Sequence, residues 1–391
     1  VTAPPLAGRV VRGRDEVLAL AAAWDELMRR AAGAPAFMAR SWIEPWIRHG
    51  RLRGEPCAVT VWSGDRLVAL LPLAVRSAMG VRIAVPVGVE QPCYHGLVLD
   101  PDFPGAADAT VEVCLRARVF HVLRLDDAAT FDRPTQDLLD AFARRGLRVA
   151  RDHRNPCPAI ALGCTFDEFL QRTKSSKSRQ TLRRKERKLM ESGAVVLTHL
   201  AGAEITADAM RRAAVVQDGS WMRRRGASVL KEDFYQDLTL SAARAGLAHL
   251  WLVTIDGEDA AFVYALVQGP RLEFVWTAFR LKYEPRSVGQ VLTGWTIRDA
   301  CALGLATYDF GHGDAEYKRF WSTGRNDVFR VVVARGLRGR LVAASHALSW
   351  RLARVGWLRR LYRALRERPS PGDEATPAAS APPAAASDDA E

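Results

Sequence analysis

The spacing of apolar residues divides the chain into short elements. Leu18, Ala22, Leu27 and Met28 recur at helical intervals among charged residues, predicting a helix over 15–32 with Asp15 as its cap. Phe37, Trp42 and Trp46 place large aromatics on a short second helix. Apolar runs at 57–62 (CAVTVW) and 66–75 (RLVALLPLAV) predict two strands around the turn Ser63-Gly64-Asp65. Pro72 lies inside the second run and lacks an N–H for a ladder, so that strand is expected at an edge or a bulge. Strands over 81–87, 95–99 and 119–125, with helices over 106–117 and 134–145, complete a first half.

A boundary is expected near 150–165, where Pro156 and Pro158 interrupt regular structure. Beyond it the pattern predicts a helix from Phe166 capped by Thr165, then a helix over about 175–191 ended by Gly193. A strand over 194–199 and helices over 206–217 and 231–245 follow. Three strands come next, over 248–255, 260–267 and 271–278, turning at Asp256-Gly257 and Gly269-Pro270. A helix over 288–303, a short strand at Tyr308-Asp309-Phe310 and a last strand over 327–334 end the second half. The halves share an order of elements but no sequence repeat. The expected fold is α/β (α+β): two related domains with mixed central sheets, 1–160 and 161–335.

After the second half, Leu348, Leu352, Val355, Leu358, Tyr362 and Leu365 form a stripe flanked by arginines, within a basic amphipathic helix over 341–366 in a segment spanning 336–368. Such a helix either packs on the body or lies on an anionic membrane surface. Residues 369–391 are rich in Ala, Pro, Ser and Asp and are expected to be disordered.

Composition narrows the function classes. With 391 residues, 48% of them hydrophobic, the chain can bury a core without metal or disulfide staples. Six cysteines and no CxxC pair argue against structural zinc, and no metal is expected. The start, 1–8, shows no basic segment leading into an apolar core, so the expected setting is cytoplasmic, with room for peripheral attachment at the inner membrane. The net charge of +12 is localised. Residues 171–190 hold nine Lys/Arg and one acid, 335–368 hold ten Arg and one Glu, and 369–391 hold five acids and no base. A basic stripe suits nucleic acid, anionic lipid or a phosphorylated substrate. No DNA-reading motif accompanies either run, so DNA is not an expected partner.

The chemistry concentrates between Tyr264 and Trp321. A strand–loop–helix passage, 279–288, leads into a helix containing Gly289, and such an N-terminus presents free amides to a pyrophosphate. Ser287 and Gly289 lie at that start, with charge from Arg280, Lys282 and Arg286. In the run YDFGHGDAEYKRFW (308–321), Asp309 ends a strand and is a candidate base or substrate anchor; equally, it can brace the loop. Tyr317 is a candidate proton donor or a packing aromatic. Lys318 is a candidate partner for phosphate or carboxylate, and His312 a base or a turn residue.

These segments resemble the acetyltransferases named after cellulose biosynthesis proteins (CelD/BcsL-like), within the GNAT superfamily and close to the Fem-type transferases. The resemblance rests on FMARSWIEPWIRHG (37–50), DRLVALLPLAV (65–75), SVGQVLTGWTIRDACALGLATYDFGHGDAEYKRFW (287–321) and the basic helix before them. It implies two GNAT-like domains and an acyl-CoA donor, acetyl-CoA or longer, whose pyrophosphate meets Arg286, Ser287, Gly289, Gln290 and Val291. The family's Ser-Pro-Gly is Ser287-Val288-Gly289 here. Its Asp-Phe-x-x-Gly-x-x-x-Tyr-Lys pattern falls on Asp309, Phe310, Gly313, Tyr317 and Lys318. The implied reaction transfers an acyl group to an amine of a sugar, a polysaccharide precursor or a small metabolite. A backbone N–H near 274–277 would polarise the thioester carbonyl. Fem-type relatives instead imply an aminoacyl-tRNA donor, and a non-catalytic scaffold on a membrane surface is the non-enzyme alternative.

Overall fold

A computed structural model describes residues 5–89, 91, 94–224 and 228–354, with backbone only for 224 and 346–354. The first half runs β1 (Leu6–Arg12), α1 (Arg14–Leu18), α2 (Ala21–Arg30), α3 (Arg40–Arg48), β2 (Glu55–Ser63), β3 (Arg66–Ala78), β4 (Val81–Pro86), β5 (Val98–Leu99), α4 (Ala106–Arg116), β6 (Val122–Ala128), α5 (Arg133–Arg144) and β7 (Arg148–Ala161). The second runs α6 (Phe166–Thr173), α7 (Ser176–Met190), β8 (Val195–Ala201), α8 (Ala207–Asp218), α9 (Trp221–Arg224), α10 (Asp233–Arg244), β9 (Ala248–Ile255), β10 (Glu258–Gln268), β11 (Arg271–Phe279), α11 (Val288–Ala302), β12 (Thr307–Asp309), α12 (Glu316–Trp321) and β13 (Gly324–Ala334). A final helix, α13 (Gly336–Arg354), follows.

All thirteen strands join one mixed sheet, ordered β1-β2-β3-β4-β6-β13-β7-β12-β11-β10-β9-β8, with β5 on β3. The order repeats with a reciprocal exchange at the centre. Each half has one parallel pair, β4 with β6 and β11 with β12. Beyond β6 lies β13, the last strand of the second half, and beyond β12 lies β7, the last strand of the first. β7 and β13 then pair along Arg148–Ala159.

The expected break at 150–165 is therefore corrected. β7 runs straight through Pro156 and Pro158. A strand residue points its N–H and C=O to the same side. The carbonyls of Pro156 and Pro158 accept from Gly313 and Phe310, so their missing donors face that loop and not β13. The same reasoning corrects Pro72. Its strand is interior, not an edge, but it carries a bulge at Val68, the other expected alternative, and Pro72 lies between Leu70, the last partner of β5, and Leu73, the first partner of β4. The expected boundary at 160/161 falls inside β7. Up to Arg340 the described residues form one compact unit in which each half completes the other's sheet, and a separate unit begins at Leu341. In that second unit the backbone is helical as far as Arg354. The remainder of the expected 341–366 stripe and the expected disordered tail lie outside the described residues.

Three cores pack the sheet. One lies under α4 and α5, a second under α6, α7 and α11, and a third joins helices of both halves. The aromatics of 37–46 serve that third core. Trp46 meets Phe234 edge-to-face at 4.6 Å, and Trp42 lies 6.0 Å from Trp276. Thr165 and Glu168 form a reciprocal capping box, and Ser175 caps α7.

Candidate active site

Parallel pairing of β11 with β12 ends at Glu273 and Asp309. A β-bulge on β11 between Phe274 and Trp276 follows at once, because Tyr264 pairs with Trp276 and Ala265 with Phe274. A bulge bends its strand. From Phe274 onward, the edge of β11 that faced β12 has no strand beside it. Short connections then start α11 on one side of this notch and α12 on the other.

Ser287 initiates α11 with φ of 56° and no side-chain cap. The first amides of α11 thus have no partner within the helix. Gly289 has a packing reason: an added Cβ would lie 2.8 Å from the Phe279 ring. Val288 and Val291 are buried, while Gln290 is exposed and accepts from Lys185 of α7. The basic helix and the candidate pyrophosphate loop, a hundred residues apart in sequence, therefore meet. Glu186, the one acid of that basic run, anchors α7 by accepting from Trp295 Nε1 at 2.6 Å and pairing with Arg298 at 3.2 Å. Arg286 stacks over Tyr283 at 5.4 Å, and its Nη1 is buried without a hydrogen-bond partner among the described residues. Arg280 lies elsewhere, 3.4 Å from Glu258, which also binds Lys282.

Between α7, the start of α11 and α12 lies a cleft of about 580 Å³. Lys177, Lys185 and Gln290 give it a cationic, polar side; Leu182, Tyr317, Phe320 and Trp321 give it an apolar one. Burial pushes the Tyr317 phenol up to about 12, so it keeps its proton at neutral pH.

The other two residues expected to be catalytic are turned away from this cleft. Asp309 is fully buried and accepts from Tyr94 Oη at 2.6 Å, the Gly311 amide at 2.8 Å and Asn326 Nδ2 at 3.1 Å. Burial outweighs these donors and raises its pKa. Three protein donors occupy this carboxylate, which is the geometry of the loop-bracing alternative. Lys318 is likewise buried. Its ammonium donates to the carbonyls of Phe310 at 2.8 Å and His312 at 2.6 Å, and burial lowers its pKa to about 8. The expected phosphate or carboxylate partner of Lys318 is replaced by the loop that follows Asp309. His312 is also buried, and its pKa falls to about 4.

Sequence reasoning missed the partners of this centre. Tyr94 comes from the first half and Asn326 from β13. Glu273 is buried, accepts from the Ala36 amide at 2.7 Å and has Arg271 at 3.8 Å, beyond hydrogen-bond reach. Burial prevails and pushes its carboxyl up to about 8. The only sequence signal was Glu273 itself, an acid inside the apolar run RLEFVW.

Among the described residues no group of three metal-ligating side chains gathers, and no helix is long and apolar enough to cross a membrane. The five described cysteines are free.

Residues 176–319 match the family model described as Acetyltransferase (GNAT) domain, a span from the start of α7 into α12. No curated protein sequence matches the chain. Among solved structures, FemX aligns with a TM-score of 0.58 at 12% identity, covering 78% of this chain and 94% of that one. The C-terminal domain of a putative lysylphosphatidylglycerol synthetase from Agrobacterium fabrum aligns at 0.55 and 15% identity, covering 85% and 96%. At these identities the likeness is one of fold. The mixed α/β architecture is the one expected from the order of elements, and the GNAT family model lies within the second half.

Proposed function

We propose that this chain is an N-acyltransferase that takes its acyl group from acyl-CoA and delivers it to an amine. The observation that carries this reading is the junction of α7, α11 and α12. Lys177 and Lys185 of α7, Gln290 of the first turn of α11 and the apolar side chains of α12 converge on one half-apolar cleft, with Glu316 its one carboxylate. A pyrophosphate on an extended, partly apolar arm fits that combination.

Acyl-CoA supplies an acyl carbon already activated as a thioester. The rest is the work of the protein. Arg286, Lys185, Lys177 and the α11 amides hold phosphate, with Gln290 and the Ser287-Gly289 turn shaping the loop. The free edge of β11 from Phe274 to Thr277 offers backbone N–H to the carbonyl oxygen. Tyr317 donates its proton to the departing sulfur and is reprotonated by the proton that the acceptor nitrogen sheds as the amide forms. Asp309 and Lys318 fix the loop between β12 and α12, and so the position of Tyr317. Holding two substrates together supplies much of the rate.

The acceptor, an amine of a sugar, polysaccharide precursor or small metabolite, follows from the CelD/BcsL-like resemblance. Release of free thiol from acetyl-CoA with a panel of amino sugars and small amines tests the reaction. Thiol release that depends on an amine supports it; none with any amine would refute it.

Aminoacyl-tRNA is the second donor reading. It is favoured by Lys177, Arg183, Arg184 and Lys188, which are exposed on α7, more base than the cleft uses. Salt-dependent tRNA binding lost on their neutralisation is its test. The working location is the cytoplasm. Vesicle flotation of the full chain against a chain ending at 340 tests attachment through 341–366.

A further inference from the structure

The first half holds a second cavity, of about 390 Å³, lined by Arg53, Gly54, Arg76, Val85 and Arg124. Its lining has three guanidiniums and no carboxylate. Three separate elements deliver them. Leu73, Val75, Ala84, Leu123 and Leu125 face the core under α4 and α5, so alternation turns Arg76 of β3, Val85 of β4 and Arg124 of β6 to the opposite face. Arg53 comes from the loop before β2, which is pressed onto β3 at Gly54. There φ is 147° and a Cβ would lie 2.6 Å from the Val75 carbonyl, so only glycine allows the approach.

The charge at this place is concentrated. Arg124 pairs with Asp126 at 2.8 Å, and Asp126 is also bound by Arg330. Burial lowers the Arg124 pKa, and Arg330 and Arg53 lower it further, against the pull of Asp126.

We propose that the Arg53–Arg76–Arg124 cavity binds the phosphoryl group of a small phosphorylated ligand, at a site separate from the α7–α11–α12 cleft. Guanidinium forks match phosphoryl oxygens in pairs, and the volume exceeds a bare anion, leaving room for an attached group of sugar size. The phosphoryl group has two sources, a soluble sugar phosphate or a lipid headgroup.

The test is calorimetric titration of the full chain with glucosamine 6-phosphate and with inorganic pyrophosphate. In parallel, co-sedimentation is measured with phosphatidylcholine vesicles with and without phosphatidic acid. The expected result is binding of at least one phosphorylated probe, weakened tenfold or more by Arg76→Glu, an exposed position that folds readily, and by Arg124→Met. Binding of the soluble probes assigns the source as a free phosphate ester; binding of phosphatidic acid vesicles alone assigns a headgroup. Acetyl-CoA affinity of Arg76→Glu should equal wild type. The proposal is overturned if no phosphorylated probe binds, if both variants bind as wild type, or if Arg76→Glu loses acetyl-CoA, which would make the cavity part of the donor site. The donor reading fails on a different observation, absent acetyl-CoA binding in the wild type.

Discussion

Each half of the sheet parts a pair of parallel strands, but only one of the two gaps stays open. In the second half, β11 bulges past Glu273, and the chain passes within nine residues into α11. In the first half, the passage from β4 to α4 is long and returns through the gap. His95 bridges Ala128, and its ring nitrogens lie 2.8 Å from the Asp126 carbonyl and 3.1 Å from that of Val87. The first half thus fills its own notch with chain, and Tyr94 of that filling reaches across to hold Asp309. The two halves therefore differ: one notch is filled with chain, and that filling braces the carboxylate at the end of the other half's parallel pair.

Removing the brace is expected to have the largest effect. Asp309→Ala strands the buried Tyr94 hydroxyl and two part-buried donors, from Gly311 and Asn326, and should cost about 3–5 kcal/mol in urea unfolding. A loss under 1 kcal/mol would show that the halves do not depend on this contact. His95→Ala loosens the filling itself and should cost about 2 kcal/mol, leaving acetyl-CoA affinity unchanged. A new acetyl-CoA site in that variant would mean the filled notch is a latent donor site.

Tyr317→Phe keeps the ring packing and removes only the proton donor. It should lower kcat about tenfold with KM and stability near wild type, the tenfold corresponding to about 1.4 kcal/mol. Loss of stability instead would reduce Tyr317 to packing.

Glu273 is expected to give stability a pH slope, shallow over any one pH unit. The Glu273 carboxyl has a folded value of about 8 against 4.5 without the fold, so between these pH values the folded state holds the extra proton. Its contribution to stability is full below about pH 4.5 and is lost as pH rises through 8, at most about 1.4 kcal/mol per pH unit. Wild type minus Glu273→Gln should show that decline; parallel curves would place Glu273 outside the titration.

The same contrast explains what was legible in the sequence. Elements with local signals were readable: the capping box at Thr165–Glu168, the turns Asp256-Gly257 and Gly269-Pro270, and the helix that starts after Ser287. The central exchange was not, because Pro156 and Pro158 read as breakers until β13 and the 310–313 loop are set beside them. The run 308–321 drew attention to Asp309, Tyr317 and Lys318 by residue type and by the family pattern, but the Lys185–Gln290 contact of α7 with α11 had no local signal. The contacts of Asp309 and Lys318 come from Tyr94, Asn326 and loop carbonyls, and the local pattern contains neither Tyr94 nor Asn326.

The most direct measurement is acetyl-CoA calorimetry on wild type and on the Lys185→Glu/Arg286→Ala double variant, with folding checked by thermal melting. A donor site at the open notch requires saturable binding to wild type, weakened at least tenfold in the double variant. Absent binding to wild type, or equal binding to both folded proteins, would contradict it.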